Sequence, residues 1–319
     1  MCTLQFATQG FINHCKFEKN LSSKTIKAYQ TDLSQFYKFL LEKKYDTTVG
    51  KITKIELRDY LEAISILKPK SIKRKIATVK AMFNYLEFDD IITSNPLRKM
   101  RIKIKESKQL PRVLNIKEIG EIFKSAYKAN VTSEDDGSYS YFAEIRNIVV
   151  VELLFATGSR VSEIANLKDD QIDLHSGQVI IRGKGDRERM IQICNKETIA
   201  ILKRYRKLSL SKIKIADNYF LINRFNNKLS DQSIRNIVRN LSNKAQIQMH
   251  VTPHVFRHSF ATLLLEKDVD IKYIQSMLGH SSIMTTQIYT HVNKEKQKQI
   301  LRTKHPRKDF SMEIISRPE

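Results

Sequence analysis

Cysteine, long apolar runs and negative charge are all scarce in this chain of 319 residues, and each scarcity excludes something. The three cysteines, Cys2, Cys15 and Cys194, have no paired or ligand-like spacing. They form neither a disulfide framework nor a zinc ribbon, and a reducing cytoplasm fits them. The longest apolar stretch, residues 148–156, is broken by Glu152 and is far too short for a membrane span. The opening MCTLQFATQG lacks the basic start and apolar run of a secretory signal. Acidic residues number 34 against 56 basic ones, a net charge of +22. Residues 1–112 carry +12 of this and the remainder +10. Both parts are therefore suited to gripping a polyanion. Lysine-rich composition also arises from solvated helix faces, so the charge alone does not assign a function.

Residues 1–100 hold only two glycines, Gly10 and Gly50, and read as a bundle of about four amphipathic helices. Phe6, Phe11, Ile12, Cys15 and Phe17 suggest a first apolar stripe. Ser22 or Ser23 can cap a second helix, with Leu33, Phe36 and Leu40 in its apolar phase. Thr53 begins a third, with Ile55, Leu57, Tyr60 and Ile64. Pro69 opens a fourth, whose Lys70, Lys73, Arg74, Lys75 and Lys80 make a candidate basic face. Asn95-Pro96 then breaks the pattern. The stretch from Arg98 to Arg112 is rich in lysine and arginine, has one acid, Glu106, and shows no sustained apolar period. Residues 101–112 are read as a basic linker between a helical domain, 1–100, and a second domain, 113–319.

The second domain mixes element types. Residues 116–126 suggest a helix, 130–140 a loop and 145–155 a buried helix. QIDL, QVIIRG and RMIQIC (171–174, 178–183, 189–194) read as three short strands joined by tight turns. Beyond Asn195 the pattern is helical again. The fold class expected is mainly α with a small antiparallel β-sheet, an α+β arrangement.

Chemistry-bearing residues gather late in the chain. Arg160 follows a turn glycine in ATGSRVSEIANL, where its planar fork can face a phosphate or pair with Glu163. Lys184 sits at a hairpin tip between two glycines in RGKGDRER. His254 and Arg257 are three apart on one helix face, with Thr252 as cap and Pro253 in the first turn. His258 falls on the same side and is expected to be partly buried. His280 follows Gly279, which can end the preceding helix. Tyr289 lies among Thr285, Thr286 and Thr290. A zinc site from His254, His258 and His280 lacks a completing acid or cysteine and would face the Arg257 charge. No metal or cofactor is expected.

Taken together, Arg160, Lys184, His254, Arg257, His280 and Tyr289 resemble, in order and context, the active site of the tyrosine recombinase (phage integrase) family. ATGSRVSEIANL, RGKGDRER, HVFRHSFAT, LGHSS and TTQIYTHV carry the resemblance, the last two being similar to the Xer-type, simple two-domain branch. It covers nearly the whole chain. Two departures stand out: Ser159, where the family usually has an aliphatic residue, and the acidic segment 130–140, which looks like an insertion.

The resemblance implies a site-specific recombinase that needs no ATP or metal. Tyr289 would attack a scissile phosphate and form a 3′-phosphotyrosine, with His254 as base. Arg160, Arg257 and His280 would hold the phosphoryl oxygens, and Lys184 would protonate the departing 5′-oxygen. A phenol of pKa about 10 needs such help at neutral pH. The partners implied are double-stranded DNA at a specific site and a homotetramer spanning two sites; an accessory protein is left open. Lys73, Arg74 and Arg235 are candidates for contacts to DNA. The tail 293–319, with apolar Ile300, Phe310, Met312, Ile314 and Ile315, is a candidate for docking on a neighbouring protomer. Two other functions compete: a type IB topoisomerase-like nicking-closing enzyme, and a catalytically silent DNA-binding regulator.

Overall fold

The computed structural model describes residues 2–105, 112–132, 137–183, 188–210, 218–279 and 294–312. The chain divides into two compact units, Met1–Gln109 and Leu110–Glu319. Each has its own apolar core. Among the described residues, no helix is long and apolar enough to cross a membrane.

The first unit is helical. Its helices are α1 (Leu4–Asn13), α2 (Ser23–Glu42), α3 (Lys54–Ala63) and α4 (Pro69–Phe88), with a π-helical turn, His14–Glu18, after α1. Local chemistry sets their starts. Ser22 caps α2 by accepting from the Thr25 amide. Thr53 and Glu56 close a capping box on α3, and Pro69 occupies the first turn of α4. Leu4, Phe11, Cys15, Leu33, Phe36, Leu57, Tyr60, Val79 and Phe83 are among the buried side chains. The stripe expected for α1 differs in detail. Phe6 and Phe17 are exposed, at 75% and 71%, and Leu4 and Ala7 are buried instead. Leu4, Ala7 and Phe11 recur at three and four residues, so they hold the inward phase and Phe6 cannot share it. Ile55 on α3 is likewise exposed. Met100, Ile102 and Ile104, on the basic stretch after α4, pack against this core.

A buried carboxylate ties α2 to α4. Asp32 is fully buried and accepts from Arg74, from Thr78 Oγ1 at 3.1 Å and from Lys75 Nζ at 3.4 Å. Lys75 also donates to Gln35. The candidate basic face is thus partly spent on structure: Lys75 is buried, while Arg74 keeps about half its side chain (48%) in solvent.

The second unit contains α5 (Ile116–Thr132), α6 (Tyr139–Thr157), α7 (Val161–Ala165), α8 (Lys196–Ser209), α9 (Asp231–Lys244), α10 (Pro253–Glu266), α11 (Ile271–Leu278) and α12 (Lys294–Lys304). Strands β1 (Ile172–Asp173), β2 (Gln178–Arg182) and β3 (Glu188–Gln192) form an antiparallel sheet in the order β1-β2-β3. Val179 pairs with Ile191 and Ile181 with Arg189. The loop expected over 130–140 is narrower at both ends, because α5 runs to Thr132 and α6 starts at Tyr139, capped by Ser138. Helix α6 is buried on nearly all sides and is the axis of this core.

One polar side chain in α6 carries special weight. Glu152 is fully buried and accepts from Tyr127 at 2.7 Å, Thr198 at 2.8 Å and Arg307 at 2.8 Å. Arg307 is itself fully buried, binds Glu197 at 3.0 Å and lies over the rings of Phe123 and Phe310. Beside it, His305 approaches the Ala156 carbonyl through Nε2 at 3.2 Å and accepts the Arg307 amide through Nδ1. The described tail therefore packs on its own unit. Ile300, Leu301 and Met312 join the core, and Phe310 packs against it. Ile314 and Ile315 lie outside the described residues.

Two outcomes follow from this lock. Glu152→Gln leaves the buried Arg307 guanidinium with only the half-buried Glu197 carboxylate as counter-charge and should lower the unfolding free energy by up to about 3–5 kcal/mol in denaturant titration. Burial holds His305 down to about 4 against an ordinary 6.5, so the folded state refuses a proton that the unfolded chain takes. Stability present above about pH 6.5 should fall as pH drops towards 4, and His305→Gln should flatten that slope.

Candidate active site

Two left-handed glycines shape the ground on which the site stands. Gly158 ends α6 with φ +57°, and Gly279 ends α11 with φ +62°. A Cβ on Gly158 would lie 2.5 Å from the Phe260 ring. The chain can thus turn sharply out of α6 and start α7 at once, with Arg160 as the residue before its first turn. On the neighbouring helix, Thr252 caps α10 and Pro253 occupies its first turn. This sets His254 and Arg257 on one face.

These elements bring three of the expected residues together. Arg160, His254 and Arg257 line one cavity of about 530 Å³, with Ala261, Leu265 and Ile274 among its apolar walls. Arg257 is buried and donates through Nη1 to the Gly158 carbonyl at 2.8 Å and through Nη2 to the Leu278 carbonyl at 2.7 Å. Two of its five N–H groups therefore grip the two helix ends, and the fork cannot rotate freely. Burial, followed by the nearby Arg160 charge, lowers its pKa to about 10, so it stays cationic at neutral pH. Arg160 is about one-third exposed (36%). It donates to Glu163 at 2.8 Å and to the Gly279 carbonyl at 3.4 Å. Phosphate facing and pairing with Glu163, alternatives in the sequence, are both compatible with this single geometry.

Glu163 is the hub. Its carboxylate accepts the Arg160 side chain, the Arg160 amide at 2.8 Å and the Arg189 guanidinium at 2.7 and 3.2 Å. Burial raises its pKa, yet hydrogen bonds and charge from Arg189 and Arg160 outweigh this and hold it below the ordinary carboxylate value. Arg189, from β3, also donates to the Met277 carbonyl at 2.7 Å and to Ser159 Oγ at 3.2 Å. Residues around 159–163, 189 and 277–279 are thereby laced together. The sequence did not single out Arg189. Its signal was there: Arg189, Ile191 and Ile193 alternate in phase, so the arginine stands on the apolar side of a strand.

His254 is exposed towards the cavity. Partial desolvation first, and then the charges of Arg257, Arg235 and Arg160, lower its pKa below 6.5. A neutral imidazole at neutral pH can take a proton. Arg235, on α9, lies 3.8 Å from Asp231 and contributes to this field. His258 departs from expectation. It is exposed and lines the same cavity rather than being partly buried, because the inward positions beside it belong to Phe256, Ser259 and Phe260. Lys184, His280 and Tyr289 lie outside the described residues, although the flanking Gly183 and Gly279 do not.

Comparison with known proteins agrees with this reading. The phage integrase family matches residues 113–296, and its N-terminal SAM-like domain matches residues 8–88. A tyrosine recombinase of Agathobacter rectalis is 43% identical over 311 residues, covering 97% of this chain and 99% of the relative. The chain belongs to the phage integrase, or tyrosine recombinase, family. Tyrosine recombinase XerD of Listeria monocytogenes is 32% identical, covering 94% of this chain and 98% of that one. Among solved structures, XerH site-specific recombinase bound to a palindromic difH substrate is similar with a TM-score of 0.67, 23% identity and coverage of 92% and 83%. A lambda integrase dimer bound to a COC′ core site gives 0.67, 18% and coverage of 88% and 96%. These two support the fold: mostly helical with a small antiparallel sheet, as expected. All six family-like residues, Arg160 to Tyr289, fall within the matched stretch 113–296.

The field around His254 has a direct readout. In the protein without DNA, its ring resonances should titrate with a midpoint below 6.5. A midpoint at or above that value would contradict the proximity of Arg257 and Arg160 to the imidazole.

Proposed function

We propose that this member of the tyrosine recombinase family is a site-specific recombinase that cleaves and rejoins DNA through a 3′-phosphotyrosine intermediate. The observation that carries the reading is the pair Arg160–Arg257 beside an exposed, largely neutral His254 in one cavity. Two guanidinium groups held on backbone carbonyls and a carboxylate are ready to take phosphoryl oxygens without rearranging. Electrostatic preorganisation of this kind acts on the extra charge of a pentacoordinate phosphorane.

In the reaction, the Tyr289 hydroxyl attacks phosphorus as His254 takes its proton. Arg160, Arg257 and His280 bind the non-bridging oxygens, and Lys184 gives a proton to the 5′-oxygen as the P–O bond breaks. The free 5′-hydroxyl of a partner strand then attacks the phosphotyrosine and gives its proton back to Lys184, while the departing tyrosine regains its proton from His254. The phosphodiester is conserved in the covalent link, so no ATP is consumed. No step calls for a metal or cofactor.

Both units carry positive charge, which supports a clamp on duplex DNA with a steep salt dependence. Lys73, Arg74 and Arg235 are proposed contacts to it. Exchange between two sites calls for four protomers, and we place the protein in the cytoplasm. The Arg307–Glu152 pair that holds the tail in its own unit is also the contact a neighbour's tail would have to re-form.

The test is a covalent trap. Duplexes nicked near the cleavage position, taken from DNA that the protein footprints beside its own gene, should leave a protein–DNA adduct. Tyr289→Phe should abolish the adduct with DNA affinity nearly unchanged; an adduct formed by that variant removes Tyr289 as nucleophile. Arg257→Lys should slow cleavage by about 10²-fold or more, since an ammonium cannot replace a two-pronged fork. Joint products between two duplexes would exclude a simple nicking-closing enzyme.

A further inference from the structure

Arg189 lies next to the proposed site without lining its cavity, and its side chain is only 12% exposed. It reaches three residues on two separate pieces of chain. Nε donates to the Met277 carbonyl at 2.7 Å, Nη2 to Ser159 Oγ at 3.2 Å, and both Nη atoms to Glu163. The Glu163 carboxylate is the partner of Arg160, and Met277 immediately precedes Leu278, whose carbonyl anchors Arg257. Gly279 closes over the same guanidinium: a Cβ there would stand 3.1 Å from Arg189 Nη1. Ser159 is fully buried, and Arg189 donates to its hydroxyl.

From this geometry we infer that Arg189 is a positioning residue that sets Arg160 and Arg257, and that Ser159 is part of its seat. The inference rests on the proposed recombinase reading. The physical argument concerns how Glu163 divides itself. With Arg189 present, the buried carboxylate serves two guanidinium groups, and Arg160 keeps N–H groups free of it. Without Arg189, Glu163 retains one strong partner and draws the Arg160 fork into a two-pronged pair, away from the cavity. The Met277–Gly279 turn loses its tether in the same event, and with it the Leu278 carbonyl that fixes Arg257. Arg189 itself needs no contact with DNA for this.

The test compares Arg189→Met, Arg189→Lys and Ser159→Val with the unmutated protein, reading adduct formation at saturating nicked duplex and DNA affinity separately. Arg189→Met should slow adduct formation by about 10–100-fold, the range for residues that orient a reacting group, with affinity little changed. Arg189→Lys keeps the charge but cannot reach three acceptors, so it should be slowed nearly as much. Ser159→Val removes one acceptor without disturbing the others and should be slowed several-fold. The deciding measurement is a cycle with Arg160→Lys. Because Arg189 and Ser159 act through Arg160 and Arg257 together, their substitutions should have a clearly smaller effect once Arg160 is lysine, the part carried by Arg257 remaining. Effects that multiply in the double variants, or a wild-type rate in Arg189→Lys, overturn the inference and leave the recombinase reading intact. Absence of any adduct from the unmutated protein overturns both.

Discussion

Three arginines converge where, among the described residues, one carboxylate is at hand to meet them. Arg160, Arg189 and Arg257 gather around Glu163 and the carbonyls of residues 158, 277, 278 and 279. Like charges a few ångströms apart repel by about 4 kcal/mol at an effective dielectric of about 20. Without compensation they would splay apart in the absence of DNA. The fold opposes this with two kinds of acceptor: a buried carboxylate, and the last carbonyls of helices that terminate at Gly158 and Gly279. Helix C-termini carry partial negative charge, so they are natural seats for cations. The protein itself therefore holds the arginines in place, and in the proposed reaction they need not rearrange to meet a phosphate. What remains unneutralised at the cluster is positive charge facing a cavity.

This arrangement explains why the catalytic unit is built around so apolar a helix. Helix α6 is buried along nearly its whole length, and the one charged residue of its second half, Glu152, is committed to Arg307, Tyr127 and Thr198. Its far end delivers Gly158, Ser159 and Arg160 to the site. A rigid axis is what allows a guanidinium at its tip to keep its place. The tail seals the same axis from the other side, through His305 on the Ala156 carbonyl and Arg307 on Glu152. The tail and the turn that carries Arg160 are thus joined to one and the same helix.

Much of this was legible in the sequence where the physics is local. Ser22, Thr53, Pro69, Thr252 and Gly279 mark helix ends because capping depends on a few adjacent residues. The β2–β3 hairpin follows from alternation, and the site motifs carried their family resemblance in short segments. What escaped depends on contacts distant in sequence. Arg189 meets Met277 across 88 residues and Glu163 across 26, and neither spacing is visible to a local pattern. Phe6 and Phe17 look like core residues by type; only the packed phase of α1 and of the turn after it shows them outside. His258 was expected to be partly buried and is exposed, since helical spacing alone does not say where the apolar face ends. Of the six family-like residues, three are united by the described geometry.

The first unit repeats the same physical device for a different purpose. Asp32, fully buried, meets Arg74, Lys75 and Thr78 from α4, again setting more cations than carboxylates around one acceptor. Lys75 is absorbed into the core, whereas Arg74 remains half in solvent. Its inner edge is fixed by Asp32, and its outer part is presented beside Lys70 and Lys73 on the same helix. A guanidinium held at one edge loses little side-chain entropy when it meets DNA, whereas a lysine free on its stem loses more. Positive charge spread over a surface gives affinity without selectivity. An anchored fork is the kind of group that can read a base edge or a defined phosphate. The two units therefore use buried carboxylates in the same way, to turn a large excess of positive charge into a few cations with fixed direction.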